Sequence, residues 1–216
     1  MIYLLWPTAR PNIFKETHKF WLKKADDPKN IKTMVAVDTK GEKKQLSDYN
    51  VIVTEKKEPG VAVATYALSK IVQAELSDII ILASDDFYPP DSWDTWVIGQ
   101  FTKFKGALMI RDGYQEGGCI TLPIMTYDCL LKLNRVIYHP SYRHQFSDAE
   151  LWVNLRDLKL LKNLRDKRNP LFEHKHWANG KRNHDHVDAL CNSNGGKDSN
   201  NYDKRLKMSV EERLKV

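Results

Sequence analysis

Ile79-Ile80-Ile81-Leu82-Ala83-Ser84-Asp85-Asp86-Phe87-Tyr88-Pro89-Pro90 decides how the rest of the chain is read, because a short apolar run ends there in two adjacent carboxylates. An apolar run of this length, bounded by polar residues, reads as a buried parallel strand. Ligands of open α/β sheets gather at the carboxyl ends of such strands, so Asp85 and Asp86 stand at a binding rim. Two like charges this close repel unless a cation lies between them, which points to a divalent metal with hard oxygen ligands. The competing reading is a helix cap or Asx-turn ahead of Pro89-Pro90. These residues alone leave both open.

The same rhythm extends outward. Ile2 to Trp6 reads as a first strand broken by Pro7, and Ile13 to Lys24 as a helix with Ile13, Phe14, Thr17, Phe20 and Trp21 on one face. After the turn Asp26-Asp27-Pro28-Lys29-Asn30, Ile31 to Asp38 forms a second strand that also closes on a carboxylate, and Val51-Ile52-Val53 a third. Gly60 then opens a helix with Val61, Ala64, Thr65, Leu68, Ile71, Val72 and Leu76 toward the core. This strand-helix alternation favours a mainly parallel sheet in three α/β/α layers. Further on, Trp93, Trp96, Val97 and Phe101 fit a helix, Ala107 to Ile110 a strand, and Cys119 to Met125 a strand broken by Pro123. Tyr127 to Leu133 and Ala149 to Leu155 read as helices, with Asp148 near the start of the second. Asn192 to Asn201 is too polar to bury much and reads as a loop, lid or linker, followed by a short charged helix from Tyr202 to Val216.

A length of 216 residues suits one α/β domain. With 42% hydrophobic and 29% charged residues the chain is expected to be globular, not disordered. The start, Met1-Ile2-Tyr3-Leu4-Leu5-Trp6-Pro7, lacks a basic n-region, and no apolar stretch has the length of a membrane span. Cys119, Cys129 and Cys191 form neither a disulfide framework nor a zinc spacing, so a reducing cytoplasm is the expected location. The net charge of +6 favours polyanionic partners. Arg156, Lys159, Lys162, Arg165, Lys167 and Arg168, diluted by Asp157 and Asp166, read either as a solvated helix face or as a nucleic-acid stripe.

Taken in order, these signals resemble the GT-A glycosyltransferases, in particular the small family-2-like enzymes of bacteria and their phages, over residues 1–190. Trp6-Pro7-Thr8-Ala9-Arg10-Pro11 is similar to the Pro-Thr-Tyr-Asn-Arg-type turn after the first strand. Asp38 falls where such enzymes hold the base or ribose of a nucleotide. Ser84-Asp85-Asp86-Phe87-Tyr88-Pro89-Pro90-Asp91 resembles the family's DxD region, although Ala83 stands where many relatives carry the first Asp. Phe146-Ser147-Asp148-Ala149-Glu150-Leu151 resembles the later acidic motif that supplies a catalytic base, and Phe172-Glu173-His174-Lys175-His176-Trp177 the histidine segment that completes the metal site. The resemblance implies a GT-A, Rossmann-like fold with a nucleotide-binding half over 1–105 and an acceptor half over 106–190. A polar loop and C-terminal helix would fill 191–216.

The chemistry implied by that resemblance gives each residue a role. A nucleoside diphosphate sugar loses its diphosphate as its anomeric carbon is attacked, so negative charge grows on the leaving oxygens, and Mn2+ or Mg2+ would clamp it. Asp86 and an imidazole from His174 or His176 would hold the metal, a set that suits Mn2+ better than Mg2+. Thr8, Arg10, Asp38 and Asp85 would contact the nucleotide. Asp148 would take the proton of the acceptor hydroxyl with inversion at the sugar, with Glu150 as the reserve base; a helix cap is the rival role for Asp148. Alternation along an extended segment places His174 and His176 on one face, so spacing does not choose between them. The acceptor is expected to be a hydroxymethylated or hydroxylated base in DNA, with a glycan or protein hydroxyl as the alternative. A nucleotidyltransferase is a further alternative, although the turn after the first strand lacks that class's glycine-rich loop.

Overall fold

The computed structural model describes residues 1–55, 60–115 and 117–216. The first half runs β1 (Ile2–Pro7), α1 (Pro11–Lys24), β2 (Ile31–Val37), α2 (Lys40–Gln45), β3 (Asn50–Val53), α3 (Val61–Ile71), β4 (Ile79–Leu82), β5 (Phe87–Tyr88) and α4 (Trp93–Gln100). The second half runs β6 (Ala107–Ile110), β7 (Ile124–Thr126), α5 (Tyr127–Lys132), α6 (Ser147–Asp157), β8 (Leu161–Leu164), β9 (Glu173–His174), α7 (His186–Ser193), α8 (Gly195–Arg205) and α9 (Val210–Arg213). Seven strands form one sheet in the order β3-β2-β1-β4-β7-β6-β8, and β5 pairs with β9 in a separate two-stranded ribbon. Among the described residues of the large sheet, only the pairings of β7 with β4 and with β6 are antiparallel. The carboxyl ends of β1, β2, β4 and β6 therefore face the same rim.

Alternation along β4 explains the layering. Ile79 and Ile81 pack on one face with Leu4, Trp6, Phe14, Trp21, Trp93 and Val97. Ile80 and Leu82 pack on the other with Leu5, Ala64, Leu68, Leu130, Leu151 and Leu155. Thus α1 and α4 cover one face, while α3, α5 and α6 cover the other. The strand is buried throughout because both faces have helices, which is why its sequence is continuously apolar. The expected three-layer α/β/α arrangement with a mainly parallel sheet is the one observed.

Several local expectations differ from the structure. Leu76 is 54% exposed because α3 ends at Ile71, so helical spacing no longer places it; Ile13 is 41% exposed on the outer edge of α1. Of the strand expected from Cys119 to Met125 only Ile124–Thr126 pairs; the carbonyls of Gly117 and Cys119 are taken by the Arg165 guanidinium instead of a ladder partner. The basic run is no single helix face: α6 stops at Asp157, Lys159 has a positive φ of 56°, and β8 follows.

The polar stretch from Asn192 to Asn201, expected as a loop, lid or linker, is largely helical, and the helix expected from Tyr202 to Val216 is divided between the end of α8 and the short α9. Capping and long-range side-chain bonds make up for its lack of apolar surface. Asp185 caps α7 by accepting the N–H groups of Val187 and Asp188. The buried side chains of Asp198, Arg205 and Arg213 bind the segment to the rest of the fold.

His18 on α1 packs beside the first strand, with its ring stacked on Phe14 and edge-on to Trp6, and Nε2 lies 2.8 Å from Thr33 Oγ1. Burial pulls its pKa down from 6.5 to about 4. Between those values the unfolded chain takes up a proton that the folded chain refuses, so stability present above pH 6.5 is lost as pH falls through about 4. The whole window corresponds to about 3 kcal/mol. Urea unfolding of the native protein and of His18→Leu at pH 7 and pH 4.5 should show the native protein losing about 2–3 kcal/mol more than the variant. An equal loss in both would contradict this assignment.

Candidate active site

The rim of the sheet is organised by the tip that follows β4. Asp85 is buried, and both of its oxygens are engaged: Oδ1 accepts the Trp6 indole N–H at 2.8 Å and Oδ2 the Thr8 hydroxyl at 2.7 Å. Its backbone carbonyl accepts the Thr17 hydroxyl at 3.0 Å, and the next carbonyl but one, that of Phe87, accepts the Trp21 indole at 2.8 Å. The first strand and first helix thus pin the tip from behind. Burial pushes the Asp85 carboxyl up to about 7 against the lowering influence of the Thr8 and Trp6 bonds.

Asp86 faces the other way. Ser84 donates to Oδ1, while Oδ2 lies 3.3 Å from His174 Nε2. Burial works against the charged form here too, but the hydrogen bond and charge of His174 outweigh it and hold the carboxyl well below the usual range. Repulsion between the adjacent carboxylates is therefore relieved by turning one of them inward onto neutral donors, and a cation between them is not required.

His174 is held as firmly as Asp86. Pairing of β5 with β9 sets it opposite Phe87, on whose ring it stacks at 4.2 Å. Its N–H donates to the carbonyl of Asp112 at 3.0 Å, and the following Lys175 N–H donates to the carbonyl of Asp86 at 2.8 Å. Nδ1 is buried without a hydrogen-bond partner and lies 3.9 Å from Asp112 Oδ2. Asp112 is itself 1% exposed and fixed by the N–H groups of Tyr114 and Gln115 and by the Thr121 hydroxyl. A carboxylate behind an imidazole favours the proton on Nδ1, and a metal would take the place of the proton between Nε2 and Asp86.

His176 is arranged differently. Its Nδ1 accepts the Ala178 N–H at 3.2 Å, so the proton of the neutral ring belongs on Nε2 and neither nitrogen offers a free lone pair. Burial, with the nearby charge of His174, lowers its pKa to about 4. The ring stacks on Tyr114 at 5.3 Å. Of the two histidines that sequence spacing leaves equivalent, His174 is the one whose ring nitrogen meets Asp86.

Asp148 stands in the first turn of α6 but is not its cap: the N-cap is Phe146, which makes no side-chain capping bond. The Asp148 carboxylate accepts the adjacent Ala149 N–H at 2.9 Å and also its own backbone N–H. Burial raises its pKa, opposed by those hydrogen bonds and by the charges of His144 and His174. It is thus a carboxylate held by main-chain N–H groups, with no side-chain donor among the described residues, in electrical contact with the histidine that meets Asp86. Glu150 is excluded from the base role because both its oxygens are occupied, by Arg205 at 2.7 and 2.9 Å and by the Tyr142 hydroxyl at 2.8 Å.

The remaining expected residues share the rim without all meeting. Thr8 donates to Asp85 and accepts the Arg10 N–H, so its hydroxyl is occupied in shaping the turn. Arg10 forms a two-pronged pair with Asp185 at 2.8 and 2.9 Å and reaches Asp188 at 3.2 Å; Arg182 grips Asp188 from the other side at 2.6 Å. Asp38 sits two strands from β4 at the end of β2, where it accepts the Thr54 hydroxyl at 3.1 Å, and burial raises its pKa. Sequence reasoning missed Asp112, although it follows the apolar run of β6 as Asp85 follows that of β4. It also missed Arg182, Asp185 and Asp188, a local cluster whose link to Arg10 spans most of the chain.

The basic stripe does not assemble. Arg156 pairs with Asp157 and lies over Trp152, Arg168 pairs with Asp166, Arg165 bonds backbone carbonyls, and Lys162 donates to Gln100. Among the described residues no three His, Cys, Asp or Glu side chains form a ready metal cage. Ions such as Mg2+ are usually held by only one or two protein ligands and completed by substrate phosphates and water, so the Asp86–His174 pair backed by Asp112 fits a divalent ion of that kind. Among the described residues no helix is long and apolar enough to cross a membrane.

No protein-family model matches the sequence, and no curated protein matches it. Solved structures do match. S. aureus TarS 1-349 in complex with UDP-GlcNAc is 14% identical with a TM-score of 0.60, over 81% of this chain and 59% of that one. The mannosyltransferase PcManGT from Pyrobaculum calidifontis, in complex with GDP-Man and Mn2+, is 13% identical with a TM-score of 0.56, over 76% of this chain and 54% of that one. Glucosyl-3-phosphoglycerate synthase from Mycobacterium tuberculosis, with Mn2+, uridine diphosphate and phosphoglyceric acid, is 10% identical with a TM-score of 0.54, over 76% and 68%. The chain has the GT-A fold of these glycosyltransferases, and spans little more than half the length of the first two.

Asp112→Asn retains the bonds from Tyr114 and Gln115 but removes the charge facing His174. Titration calorimetry with Mn2+ in the presence of a nucleoside diphosphate should show affinity reduced by about 10- to 100-fold. Unchanged affinity would mean that Asp112 serves only its loop.

Proposed function

We propose that the protein is a metal-dependent glycosyltransferase that moves a sugar from a nucleoside diphosphate donor to an acceptor hydroxyl. The observation that carries this reading is the Asp86–His174 pair, 3.3 Å apart at the sheet rim, with the carboxylate of Asp148 on a separate helix. Ligands in the similar structures, GDP-Man, UDP-GlcNAc and UDP with Mn2+ in two of the three, support it.

In this reading Asp86 and His174 Nε2 would hold Mn2+ or Mg2+, which would supply positive charge to the departing diphosphate. Asp85 acts from behind by fixing the tip, and Thr8 by fixing the turn after β1. Asp38 receives the nucleoside, and Arg10 and Arg182 stand beside the diphosphate. Asp148 accepts the proton of the acceptor hydroxyl as its oxygen bonds to the anomeric carbon and the bond from that carbon to the diphosphate breaks. Attack opposite the leaving group inverts the sugar's configuration. The raised pKa of Asp148 favours this work, since a base nearer neutrality removes a hydroxyl proton more effectively.

A glycan or protein hydroxyl is the acceptor we favour over a hydroxylated base in DNA. A flipped base would need strong contacts to backbone phosphates, and most cations of the run from Arg156 to Arg168 are already engaged within the chain.

Incubation with Mn2+ and a panel of UDP- and GDP-sugars should release nucleoside diphosphate slowly without acceptor; formation of nucleoside triphosphate and sugar 1-phosphate on addition of pyrophosphate would instead identify a nucleotidyltransferase. Transfer of labelled sugar to glycan, protein and hydroxymethylpyrimidine DNA identifies the acceptor, and activity on DNA alone would overturn our preference. Asp148→Asn should retain donor affinity and lose about 10²- to 10⁴-fold in transfer. Near-normal transfer by this variant would remove Asp148 from the chemistry.

A further inference from the structure

The base proposed above lies on a segment held from several sides: the Asp148 carbonyl accepts the Ile120 N–H at 3.2 Å, and the residues around it are bonded by the C-terminal helices. Residues 143–145 run into α6 through Phe146, a non-glycine residue at φ 65°, a conformation that L side chains adopt at a cost. Asp148 follows within the first turn.

Three buried side chains of α8 and α9 grip this segment on both sides of Asp148. Upstream, Asp198 Oδ1 accepts the N–H of Arg143 at 3.0 Å, and Oδ2 those of His144 and Gln145 at 2.9 Å each. Downstream, Arg205 makes its two-pronged pair with Glu150, and Arg213 reaches Asn154 at 2.7 Å and Asp157 at 2.6 Å. Between the anchors the Phe146 ring stacks on Tyr202 at 5.4 Å. Asp198, Arg205 and Arg213 are 2%, 6% and 4% exposed. Such buried charges are costly unless fully bonded, and truncating one partner leaves the other unpaired.

We propose that Asp198 and Arg205 are positioning residues that set the register and direction of Asp148, acting through the 143–145 backbone and Glu150. This rests on the reading of Asp148 as the base. Neither residue belongs to the Asp86–His174 pair, whose supports are β1, α1 and β9. The donor side is accordingly fixed by β1, α1, the β5–β9 ribbon and Asp112, and the base by the C-terminal helices. Displacement of a reacting group by about 1 Å can cost about 100-fold in rate, so loosening either anchor should act on turnover and spare donor binding.

The test uses Asp198→Asn, which turns an amide toward backbone N–H groups, and Arg205→Lys, which cannot make the two-pronged pair. With the acceptor identified by the labelled-sugar assay, kcat should fall about 10- to 100-fold, while donor KM and affinity for nucleoside diphosphate with Mn2+ stay within about twofold. In the Asp148→Asn background the same changes should cost nothing further. Unchanged kcat in both variants would overturn the proposal, as would an equal loss of donor affinity or a full additional loss in the Asp148→Asn background. If Asp198→Asn does not fold, Arg205→Lys and Tyr202→Ala decide by the same criteria. Near-normal transfer by Asp148→Asn alone would instead overturn the function on which this rests.

Discussion

The buried carboxylate of Asp85 is the constraint on which the site depends. A carboxylate removed from water must be hydrogen-bonded or lose its charge, and here it meets both demands by taking the Trp6 and Thr8 donors and a raised pKa. Those donors come from β1 and the turn after it, so the bonds tie the end of one central strand to the tip of its neighbour. The same tip is bonded through its backbone by Thr17 and Trp21 of α1. With Asp85 turned inward, the adjacent Asp86 has one direction left, toward His174.

From that point the site is built in layers that meet at the sheet rim. Asp86 is oriented by Ser84 and by the bond from Lys175 N–H to its own carbonyl; His174 is oriented by Phe87, by strand pairing and by Asp112. Each partner is placed by backbone structure as well as by its side-chain contact, so the pair needs little reorganisation to take an ion. Asp148 belongs to another part of the chain, and its position is a separate structural problem with a separate solution in α8 and α9. The long-range pairs of Arg10 with Asp185 and Asp188, and the local pair of Arg182 with Asp188, close the remaining side of the rim.

Features encoded locally were legible before the structure. The run from Ile79 to Leu82, the amphipathic Pro11–Lys24 helix and the carboxylates at strand ends each carry their signal within a few residues. So do the acidic turn around Asp148 and the histidine segment. What could not be read depends on partners far along the chain. The stretch around Asp198 reads as unstructured because its polar composition hides a carboxylate bonded to backbone more than fifty residues earlier. Arg10 reads as a nucleotide contact from its place in the turn after the first strand, while its pair with Asp185 is invisible to local pattern. The choice between His174 and His176 turns on which ring nitrogen meets a backbone N–H, a detail that alternation along the segment does not contain. Asp112 is the exception, since it carries the same strand-end signature as Asp85 and was open to the same argument.

The central claim is that inward burial of Asp85 leaves Asp86 and His174 Nε2 as the protein's metal pair. A crystal structure of the protein soaked with Mn2+ and UDP or GDP tests it most directly. The account predicts an anomalous scattering peak bound by Asp86 and His174 Nε2, with Asp85 still bonded to Trp6 and Thr8 and His176 Nδ1 still on the Ala178 N–H. A metal bound by Asp85 or His176, or one bound away from Asp86, would contradict it.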